Sequence, residues 1–387
     1  GVKEKITTIK QGLAVAISGD TVIVLGGIYH EQNIVINKTV LLKGINNPVL
    51  DGDNKYEIVT VNADNVHIEG FTIQHAGFSS LNELAGVKLY NCRNAVITNN
   101  IFKDVYFGVY AQGATGCVIK DNILNGHGGA ETTSGDGIHC WKSDSLQIIH
   151  NTLNKFRDGI YLEFVTGSVI WRNTSEKNIR YGLHFMSAHN NAYISNIFRY
   201  NGAGVAVMYT HGVRMFNNFF ENNSGDAAFG LLLKEITDSE ISGNHFVSNT
   251  SGIFMEGGNR ILMRRNLFNS NGWALKIQAN CSEVIVDQNN YIANTFDVST
   301  NGSLVLNTFS NNYWDKYEGY DLNKDKIGDV PYRPVSMYSM LVEQNPTLMM
   351  LYRSFIVTLM DKTEKVLPSL IPEDLKDNSP LMKPLPL

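Results

Sequence analysis

Proline is almost missing from most of the chain. Of the nine prolines in the 387-residue sequence, Pro48 alone precedes Pro331. Nearly every position ahead of Pro331 can therefore donate a main-chain N–H, as paired strands require. Cysteine is scarce too. Cys92, Cys117, Cys140 and Cys281 lie far apart and none forms C-x-x-C, so a zinc ribbon or thioredoxin-like motif is excluded and no disulfide framework is implied. Excess charge of one sign is also lacking: 32 Lys and Arg face 37 Asp and Glu. Without a basic patch, nucleic acid is not an expected partner. There is no long apolar run. The most apolar late stretch, 348–360, is too short to span a bilayer and is interrupted by Tyr352, Arg353 and Ser354. The chain opens Gly1-Val2 with no charged-then-apolar leader, so a secretory signal is expected to have been removed and the protein to be soluble.

What the sequence has is a repeat. A glycine followed by alternating apolar residues recurs as GVKL at Gly86, GVYA at Gly108, GIHC at Gly137 and GIYL at Gly159. It continues as GLHF at Gly182, GVAV at Gly204, GLLL at Gly230 and GIFM at Gly252. Most of these intervals are nearly equal, and two are longer, from Gly108 to Gly137 and from Gly204 to Gly230. A variant, WALKI, begins at Trp273, about one period after Gly252. An asparagine before an apolar pair runs in step at Asn100, Asn122, Asn151, Asn173, Asn196, Asn218, Asn244 and Asn266. The two long intervals read as loop insertions near 126–135 and 224–228.

A leucine-rich repeat has a similar period and also uses a ladder asparagine. It needs a leucine framework, and the inward positions here are mostly Ile, Val and Phe. The pattern instead predicts an all-β fold, a right-handed parallel β-helix with about 22 residues per coil. Asparagines at one turn position would stack as an amide ladder. Residues 1–57 read as an N-terminal capping segment, with a short helix over 6–17 and strands at Thr21–Leu25 and Ile34–Ile36. Residues 58–331 are expected to form the β-helix, and 332–387 a helical, proline-rich extension. In that extension Asn345-Pro346 reads as a helix start, with Leu348, Leu351, Tyr352, Phe355, Ile356 and Leu359 on one face. The helix would cap the solenoid, dock another protein, or do both. The tail from 368 carries five prolines and is expected to be extended.

The period gives meaning to two tetrapeptides. Met186-Ser187-Ala188-His189 and Met208-Tyr209-Thr210-His211 lie one period apart in the same register. Residues one period apart are expected about 4.8 Å apart on neighbouring coils. Alternation puts Met186 and Met208 outward, with His189 and His211 at the adjoining turn. Two thioethers and two imidazoles suit Cu(I), since thioether sulfur selects a soft ion and imidazole accepts copper. Methionine on a strand is also common as packing, and histidine at a turn as a solvated or hydrogen-bonded residue. His139, Trp141, Tyr161, Glu163 and His184 are expected outward around this column, as a partner surface or as ordinary exposed residues.

Two further constellations stand out. Asp136 and Asp158 each precede a repeat glycine and are separated by one period. As an acid/base pair they would serve a carbohydrate-active enzyme, a lyase, hydrolase or epimerase. Asp-Gly is equally a turn dipeptide, and no Arg or Lys is obviously grouped with the pair. Near the end of the solenoid, Asp321, Asn323, Asp325 and Asp329 alternate as oxygen ligands do in a calcium loop, though the glycine and distal Glu of an EF-hand are missing. A plain polar turn leading into Pro331 is the alternative.

The stretch 135–334 resembles the NosD family, carried by SGDGIHCWKSDS, RDGIYLEFV, RYGLHFMSAHNN, NGAGVAVMYTHGVRM, GLLLKEITDS, NGWALKIQA and NNYWDKYEGYDLNKDKIGDVPYRPVS, and continuing through RSF near 354 to the tail. The resemblance implies a periplasmic β-helix protein of nitrous oxide reductase maturation. It implies work with an ABC transporter of ATPase and membrane subunit, receipt of Cu(I) from a lipid-anchored copper chaperone, and delivery to apo nitrous oxide reductase. No enzymatic activity is implied. The family's Met-x-x-His segments match Met186, His189, Met208 and His211, and the C-terminal helix and tail would contact the membrane subunit. A purely structural adaptor without a metal of its own is the third reading.

Overall fold

A computed structural model describes residues 6–79, 82–225, 228–302, 304, 306–366 and 375–387. The chain divides into two compact units, Gly1–Gly202 and Ala203–Leu387. Each is built from coils of a parallel β-helix.

In the first unit, Val59–Val61, Ala85–Tyr90, Phe107–Gln112, Ile138–Trp141, Ile160–Glu163 and Tyr181–Met186 pair successively in parallel, as the glycine marker predicts. Two further faces complete each coil, for example Val96–Thr98 on Val118–Lys120 and Ile101–Val105 on Ile123–Gly126. Inward residues stack in columns: Val87, Val109, Ile138, Ile160 and Leu183 are all fully buried. The coils begin at Thr21–Leu25, which pairs with Leu41–Ile45, inside the segment read as a cap. Ahead of them a helix, Ile9–Val15, is capped by the Thr8 side chain. The first insertion carries a short 3-10 helix, Glu131–Thr133. The second falls partly on 226–227, outside the described residues. The four cysteines are free and buried.

The amide ladder forms as predicted. Asn100 donates its main-chain N–H to Asn122 Oδ1, Asn122 to Asn151, Asn151 to Asn173, and Asn173 to Asn196, at 2.8–3.1 Å. The residue before each of these rungs is left-handed: Asn99, Asp121, His150, Arg172 and Ser195 all have φ near +54°. That conformation strains non-glycine residues by roughly 1–2 kcal/mol each, offset here by the ladder bonds on either side.

In the second unit Ala203–His211, Phe229–Ser242, Ser251–Glu256, Trp273–Ile277 and Phe296–Ser299 form the corresponding face. Its ladder runs Asn218, Asn244, Asn266, Asn289, Asn312. An aromatic stack, Phe220, Phe246, Phe268, Tyr291 and Trp314, fills its interior with rings 4.0–5.0 Å apart and within 11° of parallel.

The C-terminal extension is not one helix from Asn345. Met337–Gln344 is a first helix, capped by Ser336. Asn345 then caps a 3-10 segment, Pro346–Leu351, and Phe355–Val366 forms a second helix. Arg353, at φ +65°, breaks the chain between them. Val357, Tyr338 and Val342 pack on Phe296, whereas Phe355, Ile356 and Leu359 face outward. No helix among the described residues is long and apolar enough to cross a membrane. Residues 367–374, the start of the proline-rich tail, lie outside the described residues.

Beyond them the tail returns to the solenoid. Asp377 Oδ2 accepts from the Asn312 main chain and side chain, both at 3.0 Å, and from Trp314 Nε1 at 3.1 Å. An aspartate thus stands where the next ladder asparagine would be. Asp377→Ala leaves three buried donors without an acceptor and should cost about 3 kcal/mol, whereas Asp377→Asn, which keeps one oxygen, should cost about 1 kcal/mol. Urea unfolding followed by tryptophan fluorescence checks this, and equal midpoints for Asp377→Ala and wild type would refute it.

Candidate functional site

Met186 and His189 belong to the first unit, Met208 and His211 to the second. The two pieces share one local form. Met186 ends the strand Tyr181–Met186 on its outer side, and Ser187 turns left-handed at φ +49°. Ala188 is fully buried and His189 emerges again, half-buried. Met208 likewise lies half-buried on its strand, Tyr209 turns at φ +53°, Thr210 is buried and His211 is exposed. The left-handed residue brings methionine and histidine of each piece to the outer surface, with one inward residue between them. Met186 pairs in register with Glu163, and Met208 with Lys234.

The outward column of the first unit departs from expectation. Trp141, Tyr161 and Glu163 are half-exposed, but His139 is only 9% and His184 only 4% exposed. Aromatic rings cover them. His139 stacks on Tyr110 at 4.8 Å, Tyr161 stacks on His184 at 4.6 Å, and Tyr161 also meets His139 edge-on. Burial, then the nearby carboxylates, pushes the Tyr161 hydroxyl up to about 12.

Asp136 and Asp158 occupy the same position of consecutive coils, as the spacing predicts, and both are buried. Contrary to the sequence reading, arginines are grouped with them. Asp136 Oδ2 accepts from His139 Nδ1 at 2.8 Å and from Arg157 at 3.1 Å. Asp158 faces His184 Nδ1 at 3.3 Å and Arg180 Nε at 4.0 Å. Arg157 and Arg180 each follow their aspartate by about one period, so the repeat that revealed the carboxylates also carried their partners. Burial disfavours the Arg157 charge, but Asp136 and Asp158 outweigh it and raise the guanidinium above its ordinary value. Asp136 Oδ2 is taken by its imidazole and guanidinium, while Asp136 Oδ1 is buried with no hydrogen-bond partner, and Arg180 is shared between Asp158 and Glu131.

The acidic loop folds on itself. Asp321 accepts main-chain N–H groups from Lys324, Asp325 and Lys326 at 2.6–3.2 Å. Asn323 Oδ1 accepts from Asp325, Asp325 from Ile327, and Asp329 from Leu322.

Comparison with known proteins places this chain. Residues 125–323 match the family described as "Periplasmic copper-binding protein (NosD)", a span that contains both Met-x-x-His pieces. The chain is similar to a "Probable ABC transporter binding protein NosD" of Stutzerimonas stutzeri, 26% identical over 92% of this chain and 85% of that one. A protein of the same description from Pseudomonas aeruginosa is 26% identical over 96% and 90%. Among solved structures, a family 28 exopolygalacturonase of Yersinia enterocolitica superposes with TM-score 0.58 at 10% identity, over 79% of this chain and 76% of that one. The alginate lyase AlyF-OU02 gives 0.56 at 12%, over 76% and 84%. At such identities these two establish the β-helix and nothing of its chemistry. With the family pattern spanning more than half of its length, the chain belongs to the NosD family of periplasmic copper-binding proteins.

Proposed function

We propose that this chain is a non-enzymatic periplasmic accessory protein of an ABC transporter, which accepts Cu(I) from a copper chaperone and delivers it to apo nitrous oxide reductase. Met186, His189, Met208 and His211 are its copper donors. The observation that carries this reading is the repeated local form, Met outward, left-handed turn, inward residue, His outward, within the family-matched span. Thioether and imidazole are neutral donors, so the bound ion keeps its charge and can be passed on. Competition titration of Cu(I) against a chromogenic chelator tests it. Met186→Ala/Met208→Ala should weaken binding by roughly tenfold or more, about 1.4 kcal/mol, and wild-type affinity in that variant would sink the donor assignment.

The transporter's membrane subunit is the partner of the C-terminal helices. Met350 is 84% and Phe355 80% exposed, with Ile356 and Leu359 beside them, an apolar surface of the kind that marks an interface. Phe355→Asp should abolish co-purification with the transporter while leaving Cu(I) affinity unchanged; undiminished co-purification would exclude this surface.

Asp321, Asn323, Asp325 and Asp329 are in turn the ligands of a structural Ca2+. In support, the loop's own amides hold the carboxylate of Asp321 in place, and the side-chain oxygens of Asn323, Asp325 and Asp329 are drawn into the same short loop. Millimolar Ca2+ should raise the melting temperature of wild type by a few degrees and leave Asp321→Ala/Asp325→Ala unmoved. No shift in wild type would remove calcium from the account.

A further inference from the structure

Imidazole and carboxylate groups gather at one corner of the first three coils, remote in sequence from both Met-x-x-His pieces. The corner follows the strands Ile28–Tyr29, Val49–Asp51 and Thr72–Gln74, which pair in parallel. His30 comes from the first coil, Asp51 and Asp53 from the second, and His75 from the third. Donor atoms of His30, Asp51 and Asp53 all lie within 4.8 Å of one another, and no other trio of His, Cys, Asp or Glu gathers so closely among the described residues. His30 Nδ1 is 2.8 Å from Asp53 Oδ1. His75 Nδ1 is 3.0 Å from both oxygens of Asp51. Left-handed φ values of +53° at Asp53 and at His75 turn both side chains into this corner.

The surroundings are those of a metal ligand set. Asp51 is buried and held from behind, by Gln74 Nε2 at 2.7 Å and by the Asp53 main-chain N–H at 2.9 Å. Ligating carboxylates are characteristically fixed by such outer bonds. The other side is open: the His30 side chain is 58% exposed, so an ion can enter without unfolding a coil. Tetrahedral ligands about 2.1 Å from a zinc ion are ~3.4 Å from each other, so the donors of His30, Asp51 and Asp53, all within 4.8 Å, are spaced to close on an ion, with His75 Nδ1 beside them against Asp51.

We propose that His30, Asp51, Asp53 and His75 form a site for a borderline divalent transition-metal ion, of the class of Zn2+, Co2+ or Cu2+. Two carboxylates neutralise a divalent charge. Two imidazoles disfavour Ca2+ and Mg2+, which take oxygen ligands. The lack of thioether or thiolate disfavours Cu(I). The site is therefore chemically distinct from the Met-x-x-His donors and stands whether or not those bind copper.

The test uses the full chain stripped with a chelator and titrated with Co2+, followed by visible absorbance, then with Zn2+ by calorimetry. One equivalent of each should bind, with the Co2+ bands of a four-coordinate site. Outer-shell changes alone cost such sites about 10–100-fold, so His30→Ala and His75→Ala should each weaken binding by roughly 100-fold or more. Met186→Ala/Met208→Ala should bind as wild type. No stoichiometric binding by wild type, or unchanged binding by folded His30→Ala, would overturn the proposal. Because His30 is exposed, that variant keeps its fold, and a circular-dichroism melt verifies this. Loss of binding in Met186→Ala/Met208→Ala as well would place the ion elsewhere and also overturn it.

Discussion

The hydrogen-bonded contact of one coil with the next is the constraint on which this protein depends. Each coil is too thin to own a core, and its apolar side chains are covered only by those of its neighbours. The asparagine rungs show the directionality of that contact. The main-chain N–H of one rung donates to the side-chain oxygen of the next, from Asn100 to Asn196 in the first unit and from Asn218 to Asn312 in the second, while side-chain amides also donate back to carbonyls of the earlier coil. An apolar side chain at a rung would leave a buried N–H unpaired. Strain at the preceding left-handed residue is tolerated because the ladder bonds on either side over-determine it.

Stacking also turns sequence distance into spatial order. One period converts into one inter-strand step, so residue types repeated at the period become columns. This is why the second-unit aromatics stack nearly parallel, and why Asp136 and Asp158 share a position. It also explains why so much is legible from spacing alone. The glycine and asparagine markers recur where the strand pairs begin, and the outward places of Met186 and Met208 follow from alternation. The same logic runs out where side chains reach sideways. His139 and His184 alternate outward, yet Tyr110, Tyr161 and Tyr181 close over them. Alternation tells which way a side chain leaves the strand, not whether a neighbour's ring covers it.

Other features are hidden for local reasons. The first coils lack the glycine marker, so Thr21–Leu25 and Leu41–Ile45 read as a cap rather than as repeats. The arginines beside the aspartates each stand two residues before a repeat glycine, Gly159 and Gly182, so their place is in the repeat, while their sideways reach to the aspartates is not. The His30, Asp51 and His75 corner escapes notice because its members fall on a different face from the marker. The apolar period of the C-terminal extension is real, but a left-handed Arg353 splits it, and Phe355, Ile356 and Leu359 point outward instead of onto the solenoid.

The last rung has a meaning for assembly. A stack of open coils is in principle endless, since each exposed end is a template for another strand. Asp377 closes the C-terminal end with a carboxylate, which supplies acceptors only. It satisfies the final donors of Asn312, and its own main-chain N–H goes to the Tyr332 carbonyl rather than to a following rung. A second chain arriving end-on would find the run of main-chain donors already turned aside, so the ladder offers it no next rung.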